Sequence, residues 1–156
     1  MSAYVDGLKL LARRELSEAQ VRQRLERRGH DADAIDAAVT RLLEERAIDD
    51  RRTAEAIART ETSVRRRGKL RVRRRIESAG IAGEVARRAV DEVFLDIDPD
   101  ALMAASLAKR LRGRDTIAGD AELGRLYRYL IGQGFEADRV VKALTAIRTR
   151  TPRSVK

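Results

Sequence analysis

Apolar residues recur along this chain at three- and four-residue steps, and the runs are broken by Gly, Ser or Asp positions that suit helix ends. Residues 1–15 place Val5, Leu8, Leu11 and Ala12 on one helical face. Ser17 is the N-cap of a second helix: Gln20 completes a capping box, and Leu16 is placed to staple onto Val21. That helix runs through Leu25 to Gly29, which suits a left-handed C-cap. A third helix follows a cap at Asp31 or Asp33 and turns Ile35, Ala38, Val39, Leu42 and Leu43 inward. Asp49 and Asp50 open a long helix through Ala54, Ile57 and Ala58 that ends near Gly68. An arginine-rich helix with Val72, Ile76 and Ala79 as a narrow apolar stripe stops at Gly80, and residues 84–95 form the next. Asp98 and Pro99 read as N-cap and first helical residue, ahead of Met103, Leu107 and Leu111. Asp120 is expected to cap residues 121–131, and Phe135 leads into a last helix with Val140, Ala143, Leu144 and Ile147. Runs of β-branched residues with period-two alternation are lacking, so the predicted fold class is all-α.

The pattern repeats. When Gly29, Gly80 and Gly134 are aligned, Val21, Val72 and Leu126 stand eight residues before them, and Leu25, Ile76 and Leu130 stand four before. Ile35, Ala86 and Val140 follow by six, Ala38, Ala89 and Ala143 by nine, and Val39, Val90 and Leu144 by ten. Apolar columns in one register, recurring about every fifty residues, predict three tandem three-helix repeats over residues 1–47, 48–97 and 98–150, with 151–156 as a basic tail. A unit this small is marginal alone, so the repeats are expected to stack into an elongated, curved helical-repeat protein.

Composition narrows the function classes. Hydrophobic residues make up 43 % of the 156 and charged residues 38 %, which describes a folded chain with a wet surface. The aromatics are Tyr4, Phe94, Tyr127, Tyr129 and Phe135, so the core is expected to be aliphatic. There is no Cys, which excludes disulfides, thiolate metal sites and thiol catalysis. No signal-peptide pattern and no apolar run near the roughly 20 residues of a membrane span are visible. A cytoplasmic protein with no membrane partner is expected.

The net charge of +9 asks for a polyanionic partner. It concentrates in Arg65, Arg66, Arg67, Lys69, Arg71, Arg73, Arg74 and Arg75, a run with no acidic residue among them. Arg22, Arg24, Arg27 and Arg28 occupy the equivalent helix of the first repeat, with Arg125 and Arg128 as a thinner counterpart in the third. Such helices either bind a polyanion or are simply solvated faces, partly neutralised by Glu18 and Glu26. His30, the only histidine, shares its repeat column with Ile81 and Phe135 and is expected to be structural. Asp49 and Asp50 are expected to cap a helix rather than hold a metal. Tyr127 and Tyr129, two apart on a helix, do not share a face for base stacking. No phosphate-cradling Gly-rich loop and no nucleophile–base pair is visible, so no catalytic residue, metal or cofactor is expected and the protein is not expected to be an enzyme.

These residues resemble the RecX family, modulators of the RecA recombinase built from three tandem three-helix repeats. The likeness is carried by residues 11–17 (LARRELS) leading to Val21 and Leu25, by Arg27-Arg28-Gly29, by residues 48–54 (IDDRRTA), and by residues 125–130 (RLYRYL) before Gly134-Phe135. It spans essentially the whole chain. Thr53 and Ala47 stand where the family usually has aromatics, and His30 where a hydrophobic residue is more usual. The resemblance implies a monomer that binds RecA filaments on single-stranded DNA, impeding filament growth, ATP turnover and strand exchange, with direct DNA contact as well. A stand-alone, non-specific nucleic-acid-binding helical protein is the alternative.

Overall fold

The structure is a computed structural model and describes residues 1–148. Among these, nine α-helices and no strands are present: α1 (Ala3–Arg13), α2 (Glu18–Arg27), α3 (Ala32–Glu44), α4 (Asp50–Ser63), α5 (Lys69–Ser78), α6 (Gly83–Val93), α7 (Pro99–Leu111), α8 (Asp120–Gly132) and α9 (Ala137–Arg148). The fold is an all-α helical repeat. The predicted basic tail lies outside the described residues.

The aligned columns are buried. Val21, Val72, Leu25, Ile76, Leu130, Val39, Ala86 and Val140 have almost no exposed surface, and Leu126, Ile35, Val90 and Leu144 are buried too. In the column nine residues after each glycine Ala38 and Ala89 are buried, whereas Ala143 is half-buried. Each fully buried Val or Leu contributes about 1.5–3 kcal/mol of transfer free energy. Gly29, Gly80 and Gly134 all adopt positive φ, at 88°, 79° and 95°, so the repeat extends to backbone conformation.

Cα packing divides the chain into two compact units. Among the described residues the first holds Met1–Ala58 with Arg73–Glu92, and the second holds Arg59–Val72 with residues 93–148. In the first unit α1 packs on α3 and α2, around a core of Leu10, Leu16, Val21, Leu25, Val39 and Leu42. In the second, α7, α8 and α9 surround Met103, Leu107, Leu126, Leu130, Phe135 and Leu144.

Local signals operate as chemistry requires. The Ser17 capping box is complete: Ser17 Oγ accepts from Gln20 N and Gln20 Oε1 accepts from Ser17 N. Asp31 and Asp98 cap α3 and α7, the latter with Pro99 in the first turn. Asp49 caps α4 through Arg52 N, while Asp50, one residue on, accepts from Glu18 N at the start of α2 (2.8 Å). Burial pushes the Asp50 carboxyl up from its ordinary range, against the lowering effect of that bond.

Four expectations are corrected. The buried face of α1 is Ala3, Asp6, Gly7 and Leu10; Leu11 is half-buried, and Val5, Leu8 and Ala12 are exposed. Gly7 decides this, because a Cβ there would lie 2.7 Å from Leu42 Cδ1, so its bare backbone lets α1 close onto α3. Asp6 follows it inward because partners wait there: His30 Nε2 at 2.6 Å and Arg28 Nη1 at 3.1 Å. Leu43 is exposed, its place on the inner face of α3 being held by Val39 and Leu42. The long fourth helix ends at Ser63, where Arg66 turns left-handed (φ 53°), rather than near Gly68. Asp120 is the first residue of α8, and its N-cap is Gly119, which has no side chain to donate or accept.

Candidate functional site

The basic run begins on a rigid loop in the second unit. Glu61, at the end of α4, is buried, and its carboxylate receives Arg67 Nη1 at 2.7 Å. Arg65 Nη1 stands 3.8 Å from the same carboxylate. The main chain reinforces the turn: Arg67 N donates to Glu61 O and Arg66 N to Thr62 O. Buried Ser106 of α7 donates its hydroxyl to Arg66 O (3.1 Å). Arg66 is thereby fixed in a conformation that non-glycine residues rarely take.

The N-terminus of α5 then meets the C-terminus of α8. Gly68 N donates to Gln133 O (2.9 Å) and Leu70 N to Gly134 O (3.1 Å), so the free N–H groups of one helix satisfy the free carbonyls of another. Arg71 Nη1 donates to Gly132 O at 2.9 Å, adding a cation to the negative end of α8. The approach needs glycine on both sides: a Cβ at Gly68 would lie 2.6 Å from the Gly134 carbonyl, and one at Gly134 2.4 Å from Arg71 N. A related joint sits in the first unit, where Ser17 at the head of α2 donates its hydroxyl to Ala79 O at the tail of α5. There a Cβ on Gly80 would meet Ala19 Cβ at 2.5 Å.

The cations of the run therefore fall into two sets. Arg67 is held by Glu61, Arg71 by Gly132 O, and Lys69 lies 5.4 Å over the Phe94 ring. Those three organise the fold around them. Arg65 and Arg66 are exposed at the loop. In the first unit Arg73 is paired with Glu77 (2.9 Å) and Arg75 donates to Ser78 Oγ, whereas exposed Arg74 has no side-chain partner among the described residues. On α2, Arg22 bridges Glu18 and Asp36 and Arg28 is bonded to Asp6, which leaves Arg24 and Arg27 without described ionic partners. Arg125 and Arg128 on α8 are exposed, and nearby Arg114 forks onto both oxygens of Glu122, holding that carboxyl below its usual range. Arg24, Arg27, Arg74, Arg66, Arg125 and Arg128 thus have charge available to a polyanion.

The helix-organising residues were not legible beforehand. Ser106 and Gly132 act through partners 40 and 61 residues away, and Glu61 meets Arg67, six residues on, only because the chain turns left-handed at Arg66 between them. His30 is structural, though its partner is the Asp6 carboxylate, which the His30 hydrogen bond and the Arg28 charge hold below the usual range. Tyr129 packs against the Met103–Leu144 core of α7, α8 and α9 with the Arg110 guanidinium 3.9 Å over its ring. Among the described residues no group of three or more His, Cys, Asp or Glu could hold a metal ion, and no helix is long and apolar enough to cross a membrane.

Comparison with known proteins agrees with this architecture. Residues 3–42 match the family described as RecX, first three-helix domain. The chain is 34 % identical over 141 residues to the Regulatory protein RecX of Halorhodospira halophila, covering 90 % of this chain and 84 % of that one. It is 33 % identical to that of Chromohalobacter salexigens, covering 89 % and 88 %. The crystal structure of RecX from Lactobacillus salivarius superposes with a TM-score of 0.76 at 19 % identity, over 93 % of this chain and 94 % of that one, a likeness of fold. With relatives above thirty per cent identity aligned over most of both chains, this chain belongs to the RecX family of regulatory proteins.

Proposed function

We propose that the protein binds RecA recombinase filaments on single-stranded DNA and modulates, usually inhibits, ATP turnover and strand exchange, and through them the DNA-repair and SOS response. The observation that carries this is the surplus of arginines without internal carboxylate partners on repeated helices: half-buried Arg24 and exposed Arg27 on α2, and exposed Arg74 on α5 and Arg125 and Arg128 on α8. The reading takes each three-helix repeat as one stacking unit, with the protein acting as a cytoplasmic monomer that touches DNA as well as filament. Its role is regulation of another enzyme's turnover. The net charge of +9 also favours a second reading, a stand-alone nucleic-acid-binding protein.

One assay separates the two. The protein is added to RecA filaments on single-stranded DNA, and ATP turnover is measured beside binding to naked DNA. Changed turnover supports the first reading; unchanged turnover with tight binding to naked DNA supports the second. Arg74→Glu is the informative substitution, because Arg74 is exposed and makes no described side-chain bond. Arg71→Glu would also break the bond to Gly132 O.

A further inference from the structure

In the second unit an open groove of about 1270 Å³ lies between the loop that joins α4 to α5 and one face of α7. Ala101, Leu102 and Ala105, at three- and four-residue steps on α7, supply a smooth apolar floor. Val64, 73 % exposed on the loop, supplies an apolar wall. The charges in the lining are sorted by end. Ser106 of α7 holds the Arg66 carbonyl, which sets Arg65 and Arg66 beside the half of α7 that carries Lys109. Asp96 and Asp98 line the groove at the other end of that helix, about 16 Å away along its axis.

This lining suits a peptide better than a nucleic-acid strand. A phosphodiester carries a charge at every nucleotide, so a strand lying along the groove would meet Asp96 and Asp98 after passing the cations. The aromatic ring in the lining, Tyr129, is covered on one face by Arg110 and packs against the core of α7, α8 and α9, so it offers no platform for a base. A peptide carries charge only where its side chains place it. The loop is also pre-set: the left-handed Arg66 backbone is pinned by Thr62 O, Ser106 and the Glu61–Arg67 pair, so the main chain that carries its cations needs no ordering on binding.

We infer that this groove receives a short acidic-and-apolar segment of the protein partner, its carboxylates against Arg65, Arg66 and Lys109 and an aliphatic side chain over the Ala101–Ala105 floor. The inference rests on the filament reading and assigns the groove to the filament's protein surface rather than to its DNA.

The test uses the full chain with Ala101→Trp, which fills the groove from an exposed position, and separately Lys109→Glu, which reverses one end. Far-UV circular dichroism checks that each stays folded. Affinity is measured for RecA filaments on single-stranded DNA and for the same DNA naked. Both variants are expected to bind filaments roughly tenfold or more weakly while binding naked DNA as the unsubstituted chain does. Equal loss on both targets would make the groove a nucleic-acid site and overturn the inference, as would filament binding unchanged in both variants. If the unsubstituted chain itself fails to bind filaments, the filament reading falls and takes this assignment with it.

Discussion

The joint between α5 and α8 is held by geometry that one methyl group would break, and the repeat provides an internal control. Gly29 and Gly134 occupy the same repeat position and both have positive φ, at 88° and 95°. A Cβ at Gly29 would meet nothing within 4 Å, whereas one at Gly134 would lie 2.3 Å from Arg71 Cβ and 2.4 Å from Arg71 N. Gly29→Ala should therefore cost only the left-handed backbone penalty, about 1–2 kcal/mol. Gly134→Ala carries the same penalty and must also move α5 outward by about 1 Å, since ordinary contact begins at 3.4 Å. Bonds of 2.9, 3.1 and 2.9 Å (Gly68 N–Gln133 O, Leu70 N–Gly134 O, Arg71 Nη1–Gly132 O) would then pass beyond hydrogen-bonding distance. At about 1 kcal/mol each, their loss brings the total to roughly 4–5 kcal/mol. Urea unfolding followed by circular dichroism gives the two costs, and amide hydrogen exchange at Gly68 and Leu70 reports the joint directly. Equal destabilisation by the two substitutions, with those amides still protected in Gly134→Ala, would refute the reasoning.

Other outcomes follow from the same structure. Glu61→Ala should destabilise by about 3 kcal/mol, because Arg67, 16 % exposed, loses the partner of its buried charge; adding Arg67→Ala should cost far less in that background, as a double-mutant cycle would measure. The Asp6 carboxyl has a lower pKa folded than unfolded, so its contribution to stability is fully present above the unfolded value near pH 4 and is lost as pH falls through the folded one. Acid-unfolding curves should show that dependence, and Asp6→Asn should remove it. Binding to naked single-stranded DNA should weaken steeply with salt, and Arg74→Glu should reduce the slope of log affinity against log salt by about one unit. A slope unchanged by that substitution would place the contact elsewhere.

The extent to which this protein could be read in advance follows from the range of the forces involved. Helix identity, the repeat register, the buried columns from Val21 to Leu144 and the caps at Ser17, Asp31, Asp49 and Asp98 depend on residues within a few positions of one another, and periodicity and capping chemistry record them directly. The sign of the charge was equally plain from composition. What each charge does was not, because Arg65 to Arg75 look alike in sequence and differ only in what the fold brings near. Glu61 captures Arg67, the tail of α8 captures Arg71, Phe94 sits under Lys69, and Arg74 is left to solvent. The inner face of α1 was likewise a tertiary choice. Apolar residues lie on more than one side of that helix, and the side that turned inward was selected by the missing side chain of Gly7 against Leu42 and by His30 and Arg28 receiving Asp6. Pattern determined that there would be repeated helices carrying positive charge. Close approach and partner geometry, which act only after distant segments meet, decided which of those charges face outward.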